Sequence, residues 1–304
     1  MKALVIKSTG LWYEVMANQE RLMVRLRGKF KLEDKKLTNP IAVGDWVEIN
    51  PNEQVDGEWV IIKIYDRENY VMRASPRKKG HDHLIASNIS QGVLIVTLKR
   101  PRTSIGFIDR FLITLESFRI PGVILFNKED LYAEKELRKY EELKEVYQKI
   151  GYQVDLCQFE SQVTEDTRSL FKNKTSLLSG HSGAGKSTLI NQLIPEATQE
   201  VKEISDFANK GVHTTTFAEL FYLDDQSAII DTPGIKELGL SEIEDEELSH
   251  YFPEMRQFLG QCKFHNCLHE NEPDCAVKEA VGDAVPELRY QSYLSILRSE
   301  DGRK

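Results

Sequence analysis

Short runs rich in β-branched and aromatic residues, broken by glycine and proline, fill the first part of the chain. Leu11-Trp12-Tyr13-Glu14-Val15, Leu22-Met23-Val24-Arg25-Leu26, Asp45-Trp46-Val47-Glu48-Ile49 and Trp59-Val60-Ile61-Ile62-Lys63-Ile64 read as strands, with Pro40, Gly44, Pro51 and Gly57 between them. About five strands in about 70 residues predict a small closed barrel such as an OB-fold, although an SH3-like barrel has a similar pattern. The polar, basic stretch from Arg73 to Gly80 reads as a linker. Beyond it the period changes. Gly92–Leu98, Gly122–Phe126, Thr175–Ser179 and Ala228–Ile230 are near-continuous apolar runs, as strands buried on both faces of a parallel sheet require. Between them, Asp130–Ile150 carries Glu134, Leu137, Tyr140, Leu143 and Tyr147 at helical spacing. The pattern predicts a multidomain chain: a β-barrel over 1–71, an α/β domain over 72–245 and a short α-helical domain over 246–304.

Composition narrows the class. The 304 residues are 40% hydrophobic, too apolar for a disordered chain. No run of about 18 apolar residues predicts a membrane span, and Met1–Ile6 is too short for a secretory leader, so a cytoplasmic protein is expected. The net charge of −8 argues against a general nucleic-acid coat. Residues 1–40 nevertheless hold nine Lys and Arg against four Asp and Glu, a basic end suited to a polyanion-facing module. Four cysteines cannot build a disulfide scaffold, yet three of them crowd between Cys262 and Cys275.

The chemistry starts at Gly180-His181-Ser182-Gly183-Ala184-Gly185-Lys186-Ser187-Thr188, which fits G-x-x-x-x-G-K-[ST] between a predicted strand and a helix. Glycines let backbone N–H groups wrap a phosphate at a helix N-terminus. Lys186 can reach the β- and γ-phosphates, and Ser187 can ligate magnesium. Asn127-Lys128-Glu129-Asp130 follows the strand 122–126 as N-K-x-D. Guanine offers N1–H and N2–H2 as adjacent donors, which the Asp130 carboxylate can accept together; adenine lacks that pair, which disfavours an ATP-dependent enzyme. Asn127 can support the loop or contact the base, and the Lys128 stem can cover the ring. Asp231-Thr232-Pro233-Gly234 is a D-x-x-G at a strand end, where Asp231 can hold magnesium through water and the Gly234 N–H can meet the γ-phosphate. Between these loops lies Gly211-Val212-His213-Thr214-Thr215-Thr216. A threonine here is needed on magnesium; Thr215 is the candidate among three in a row. The residue after Gly234 is Ile235, which cannot orient a water molecule as a glutamine does in many GTPases, so intrinsic turnover should be slow. His213 is the nearest polar candidate for that task, and with Lys186 and Thr215 it completes the expected catalytic set.

Cys262-x4-Cys267-x-His269-x5-Cys275 supplies three thiolates and one imidazole, a closed structural zinc set with no open position. His265 is an alternative ligand to His269.

The motif order is unusual, because N-K-x-D precedes the phosphate loop. A parallel sheet keeps its arrangement when the chain is cut and rejoined elsewhere, so the α/β domain is expected to be a circularly permuted P-loop GTPase. The barrel, N-K-x-D, G-x-S-G-x-G-K-S, G-x-H-T-T-T, D-T-P-G and the cysteine cluster, in that order, resemble the small-ribosomal-subunit-dependent GTPases of the RsgA/YjeQ family over nearly the whole chain. The resemblance implies an N-terminal OB-fold, a C-terminal zinc-binding helical domain with His269 rather than His265 as ligand, and GTP hydrolysis to GDP and phosphate in late maturation of the small ribosomal subunit. Implied partners are that subunit with its rRNA, GTP with magnesium, and no membrane; a monomer is expected. Arg25, Arg27, Lys29 and the run 77–79 would contact phosphates. Two positions depart from the family pattern: Cys157-Gln158 replaces a Ser-Ala pair at the guanine loop, and His181 stands where glutamine is frequent. Cys157 is expected to be buried. The competing reading is a nucleotide-gated rRNA-binding adaptor with negligible turnover, which Ile235 favours. The permuted order also leads the chain from Gly234 straight into the C-terminal domain, so a change at the γ-phosphate is expected to shift that domain.

Overall fold

The computed structural model describes residues 1–9, 12–26, 39–55, 58–74, 82–194, 218–232, 240 and 243–298. Five strands form the barrel: β1 (Lys2–Ser8), β2 (Tyr13–Ala17), β3 (Glu20–Leu26), β4 (Trp46–Val55) and β5 (Glu58–Ile64). They run in the order β1-β2-β3-β5-β4, and β4 pairs back with β1 from Lys2↔Glu48 to Leu4↔Trp46. Only the β3–β5 pair is parallel, which gives the Greek-key barrel of an OB-fold. Alternate residues point inward, so Ala3, Val5, Tyr13, Val15, Val47 and Ile49 share one core. β1 uses the Met1–Ile6 stretch that sequence reading weighed only as a leader.

Strands β6 (Tyr70–Ala74) and β7 (Asp82–Ser87) form a hairpin. Arg73 and Ala74, expected in a linker, therefore end a strand, and the 71/72 division falls inside β6. Residues 75–81 lie outside the described residues.

The α/β part contains β8 (Gln91–Val96), β9 (Gly122–Phe126), β10 (Gln153–Leu156), β11 (Thr175–Gly180), β12 (Glu219–Tyr222) and β13 (Ala228–Asp231). The order is β10-β9-β8-β11-β13-β12, parallel except for β12. Every β8 residue is buried, as its unbroken apolar run requires. Helices α1 (Ile105–Ser117) and α2 (Glu134–Lys149) cover one face through Phe107, Phe111, Leu143 and Tyr147. Helix α4 (Lys186–Leu193) covers the other through Leu189 and Ile190, where α3 (Glu165–Ser169) also lies in sequence between β10 and β11. α2 starts later than its periodicity implied, because Glu129–Leu131 turns as a 3₁₀ segment behind Lys128 at φ 70°. The sheet does not stop at β12, which pairs antiparallel with β1 of the barrel at Lys7↔Glu219, where the two side chains form a 3.1 Å ion pair.

The C-terminal part holds a 3₁₀ segment, Asp245–Tyr251, and helices Pro253–Arg256, Ala276–Glu279 and Glu287–Leu297. Leu248, Phe252, Met255, Val277, Tyr293 and Ile296 form its core, together with Leu240 and with Ile113 of α1. Among the described residues, no helix is long and apolar enough to cross a membrane.

Candidate nucleotide site and metal centre

Because β9, β11 and β13 run parallel, the loops that follow them emerge at one edge of the sheet. The N-K-x-D and phosphate-loop segments, far apart in sequence, meet there, with Asp231 and Thr232 at the end of β13. Gly180, Gly183 and Gly185 have φ of 149°, 80° and 110°, values that L side chains rarely adopt. A Cβ on Gly180 would stand 2.6 Å from the Ile95 carbonyl oxygen, and one on Gly185 would collide with the Asn127 amide.

Asn127 is buried, and both ends of its amide are engaged. Nδ2 donates to the Ala184 carbonyl at 2.9 Å, and Oδ1 accepts from the Phe159 N–H at 3.0 Å. Of the two roles left open by the sequence, support of the loop is the one its side chain performs. It ties three loops together: N-K-x-D, the phosphate loop and the 157–159 turn. Lys128 Nζ donates to the Arg100 carbonyl at 2.7 Å. The Glu129 N–H donates to the Cys157 carbonyl at 3.3 Å, and Asp130 is exposed beside it. The Cys157-Gln158 departure therefore still lies against N-K-x-D. Cys157 is buried as expected, and burial pushes its thiol up to about 11.

Lys186 Nζ donates to the Gly180 carbonyl at 2.6 Å and the His181 carbonyl at 3.2 Å. Burial holds its ammonium below the ordinary lysine range, with the Asp231 carboxylate opposing. Burial raises Asp231, with Lys186 opposing. Asp231 Oδ1 is buried with no hydrogen-bond partner among the described residues. A desolvated ammonium beside a carboxylate with an open buried oxygen suits a phosphate chain carrying a hard divalent cation. Ser187 is exposed in the first turn of α4, with Thr188 half-buried after it. Ser182 and Gly183 are exposed at the loop tip, and Ala184 is buried under it. The His181 ring stacks on Phe107 of α1, with centroids 4.1 Å apart and planes at 28°. His213, Thr215, Gly234 and Ile235 lie outside the described residues.

The second cluster joins Cys262, Cys267, His269 and Cys275, whose ligand atoms all lie within 4.8 Å of one another. Cys262 Sγ is 3.8 Å from Cys275 Sγ, and His269 Nδ1 is 3.6 Å and 3.3 Å from these two sulfurs. Sulfurs about 2.3 Å from a common tetrahedral ion stand about 3.8 Å apart, so the donor set fits one metal ion. His265 lies in the exposed turn and is not in the cluster. Tyr290 OH donates to the His269 carbonyl at 2.7 Å and Tyr293 OH to the Leu268 carbonyl at 2.6 Å, which fixes the ligand turn on helix 287–297. On the barrel, Arg25 lies over the Trp12 ring at 3.5 Å and pairs with Glu58. Arg27, Lys29 and Arg77–Lys79 lie outside the described residues.

The model of the RsgA GTPase family matches residues 64–241, and that of the RsgA N-terminal domain matches residues 2–58. The chain belongs to the RsgA GTPase family. The small ribosomal subunit biogenesis GTPase RsgA of Cytophaga hutchinsonii is 53% identical over 304 residues, spanning 99% of each chain. The protein of the same name from Phocaeicola vulgatus is 44% identical, over 100% of this chain and 98% of its own. Among solved structures, YjeQ from Thermotoga maritima matches with a TM-score of 0.76 at 34% identity, covering 100% of this chain and 99% of that one. YloQ, described as a circularly permuted GTPase, matches at 0.70 and 30% identity, covering 100% and 96%. The N-terminal barrel, the permuted GTPase domain and the C-terminal Cys₃His cluster expected from the sequence are thus those of an RsgA-family GTPase. In this RsgA-family chain, sequence reading missed the Phe159 N–H as a partner of Asn127 and Phe107 as a partner of His181. Neither carries a motif signal, because each contact is made across the fold.

Proposed function

We propose that this GTPase hydrolyses GTP to GDP and phosphate while bound to the small ribosomal subunit, late in that subunit's maturation. The observation that carries this reading is the Asn127 bridge, which holds the guanine-type loop against the phosphate loop. Across these loops Asp130 accepts from the guanine edge, and residues 180–188 cradle the phosphates with Lys186 as their counter-charge. Asp231 would hold magnesium through water, and the Gly234 N–H of the same motif would meet the γ-phosphate. Ser187 and Thr215 would hold magnesium, which neutralises charge on the phosphates. His213 orders the attacking water, since Ile235 cannot. The cytoplasmic monomer works as three modules, the barrel, the permuted GTPase domain and the C-terminal helical module, with the first and last gripping rRNA. Arg25 exchanges its Glu58 partner for a phosphate when the barrel docks.

Cys262, Cys267, His269 and Cys275 would hold one zinc ion that shapes the C-terminal module. Cys275→Ser is expected to lose the stoichiometric metal and to speed hydrogen exchange throughout 262–297, with GTP affinity kept within about threefold. Metal analysis of the purified chain checks this; full metal content in the variant contradicts it.

Co-sedimentation with purified small subunits tests the reading as a whole. A GTP analogue is expected to retain the chain and GDP to release it, and binding in either state should weaken steeply as salt rises. Equal retention with GDP, with the analogue and without nucleotide would overturn it.

A further inference from the structure

Helix α1 touches both the phosphate loop and the C-terminal module. Phe107 stacks on His181. Asp109, two residues on, faces the opposite way and takes the guanidinium of Arg289 from helix 287–297. Arg289 also binds Glu254 at 2.6 Å, and Tyr147 OH donates to Asp109 Oδ1 at 2.7 Å. Asp109 and Arg289 are both fully buried. One turn along α1, Ile113 lies in the C-terminal core, and Glu116 pairs with Arg256. Residues 109, 113 and 116 thus form one helical stripe devoted to the module, while Ile108, Phe111, Leu112 and Leu115 form the stripe devoted to the sheet.

These contacts differ in what it takes to separate them. Pulling Arg289 away would leave buried charges without partners, which strongly resists motion. A ring stack adds much less than a buried ion pair and yields more readily to a small shift. The buried charges therefore tie the C-terminal module firmly to α1, and α1, itself packed on the sheet, meets the phosphate loop at His181 and Phe107. We infer that Phe107 is a positioning residue: nucleotide seated on the phosphate loop sets the place of α1 through the His181–Phe107 stack, and α1 carries that setting to the C-terminal module through Asp109 and Arg289. This rests on the GTP reading above and deepens it by naming a route separate from the segment after Gly234. By linkage, whatever grips the C-terminal module acts back on nucleotide affinity by the same factor.

The test is hydrogen exchange on the full chain, nucleotide-free and loaded with a non-hydrolysable GTP analogue, with nucleotide binding titrated on the same samples. In the parent chain, loading is expected to slow exchange in residues 105–117 and 287–297 together, by about fivefold or more. Phe107→Leu, which removes the ring and keeps the apolar contact with the sheet, should abolish the response at 287–297 while leaving analogue affinity within about threefold. Phe107→Tyr keeps the ring and should restore the response. A parent chain that binds the analogue without any change at 287–297, or a Phe107→Leu chain that keeps the full change, would overturn the coupling. Failure of the parent chain to bind the analogue would overturn the functional reading instead, and the titration separates the two.

Discussion

Asp130→Asn is expected to lower GTP affinity by about 100-fold or more and to raise affinity for xanthosine triphosphate. In the proposed site the carboxylate would accept from both N1–H and N2–H2 of guanine, and bonds to an ionised acceptor are about twice as strong as neutral ones. An asparagine amide sets its own N–H2 against one of those donors. Xanthine carries an oxygen at C2 in place of the amine, so the same amide finds an acceptor there. Asp130 is exposed, and the fold loses nothing when it changes. Competitive displacement of a fluorescent nucleotide checks the exchange. Unchanged discrimination between guanine and xanthine would remove Asp130 from the base site.

Arg289→Met is expected to destabilise the C-terminal module by about 3–5 kcal/mol. The side chain is wholly buried between Asp109 and Glu254, and its removal leaves two carboxylates facing each other in an apolar core. Phe252 also packs on the guanidinium, 4.5 Å from ring centroid to carbon. The triple variant Arg289→Met, Asp109→Asn, Glu254→Gln removes the charges together and should recover most of the loss, since neutral groups tolerate the site far better than unpaired ions. Urea unfolding followed by hydrogen exchange over 287–297 measures both. Equal loss in the single and triple variants would mean that packing, not charge, carries the effect.

How legible these features were depends on how local their causes are. Four of the five parallel strands were plain because burial on both faces makes an apolar run, as in Gly92–Val96; β10 was missed because Gln153 and Asp155 break its run. The phosphate loop and the Cys₃His set were plain because their chemistry needs residues at fixed short spacings. Even the permutation could be read, since it is a matter of motif order. β12 was invisible: Glu219–Tyr222 is four residues long, and β13 and the barrel hold it in place from either side. β1 was misjudged because its apolar residues were weighed as a leader rather than as a strand shared by two units. The Asp109–Arg289–Glu254 cluster left no trace either. Charged residues in helices usually face water, and here the partners lie 180 and 35 positions apart. Asn127 was singled out, but the Ala184 carbonyl that fixes its role lies 57 residues away.

Phosphate release from GTP, followed with and without purified small ribosomal subunits, tests the account most directly. Turnover should be slow alone, rise by about tenfold or more with small subunits but not large ones, and vanish in Lys186→Ala. A rate that small subunits leave unchanged, or that survives the loss of Lys186, would contradict it.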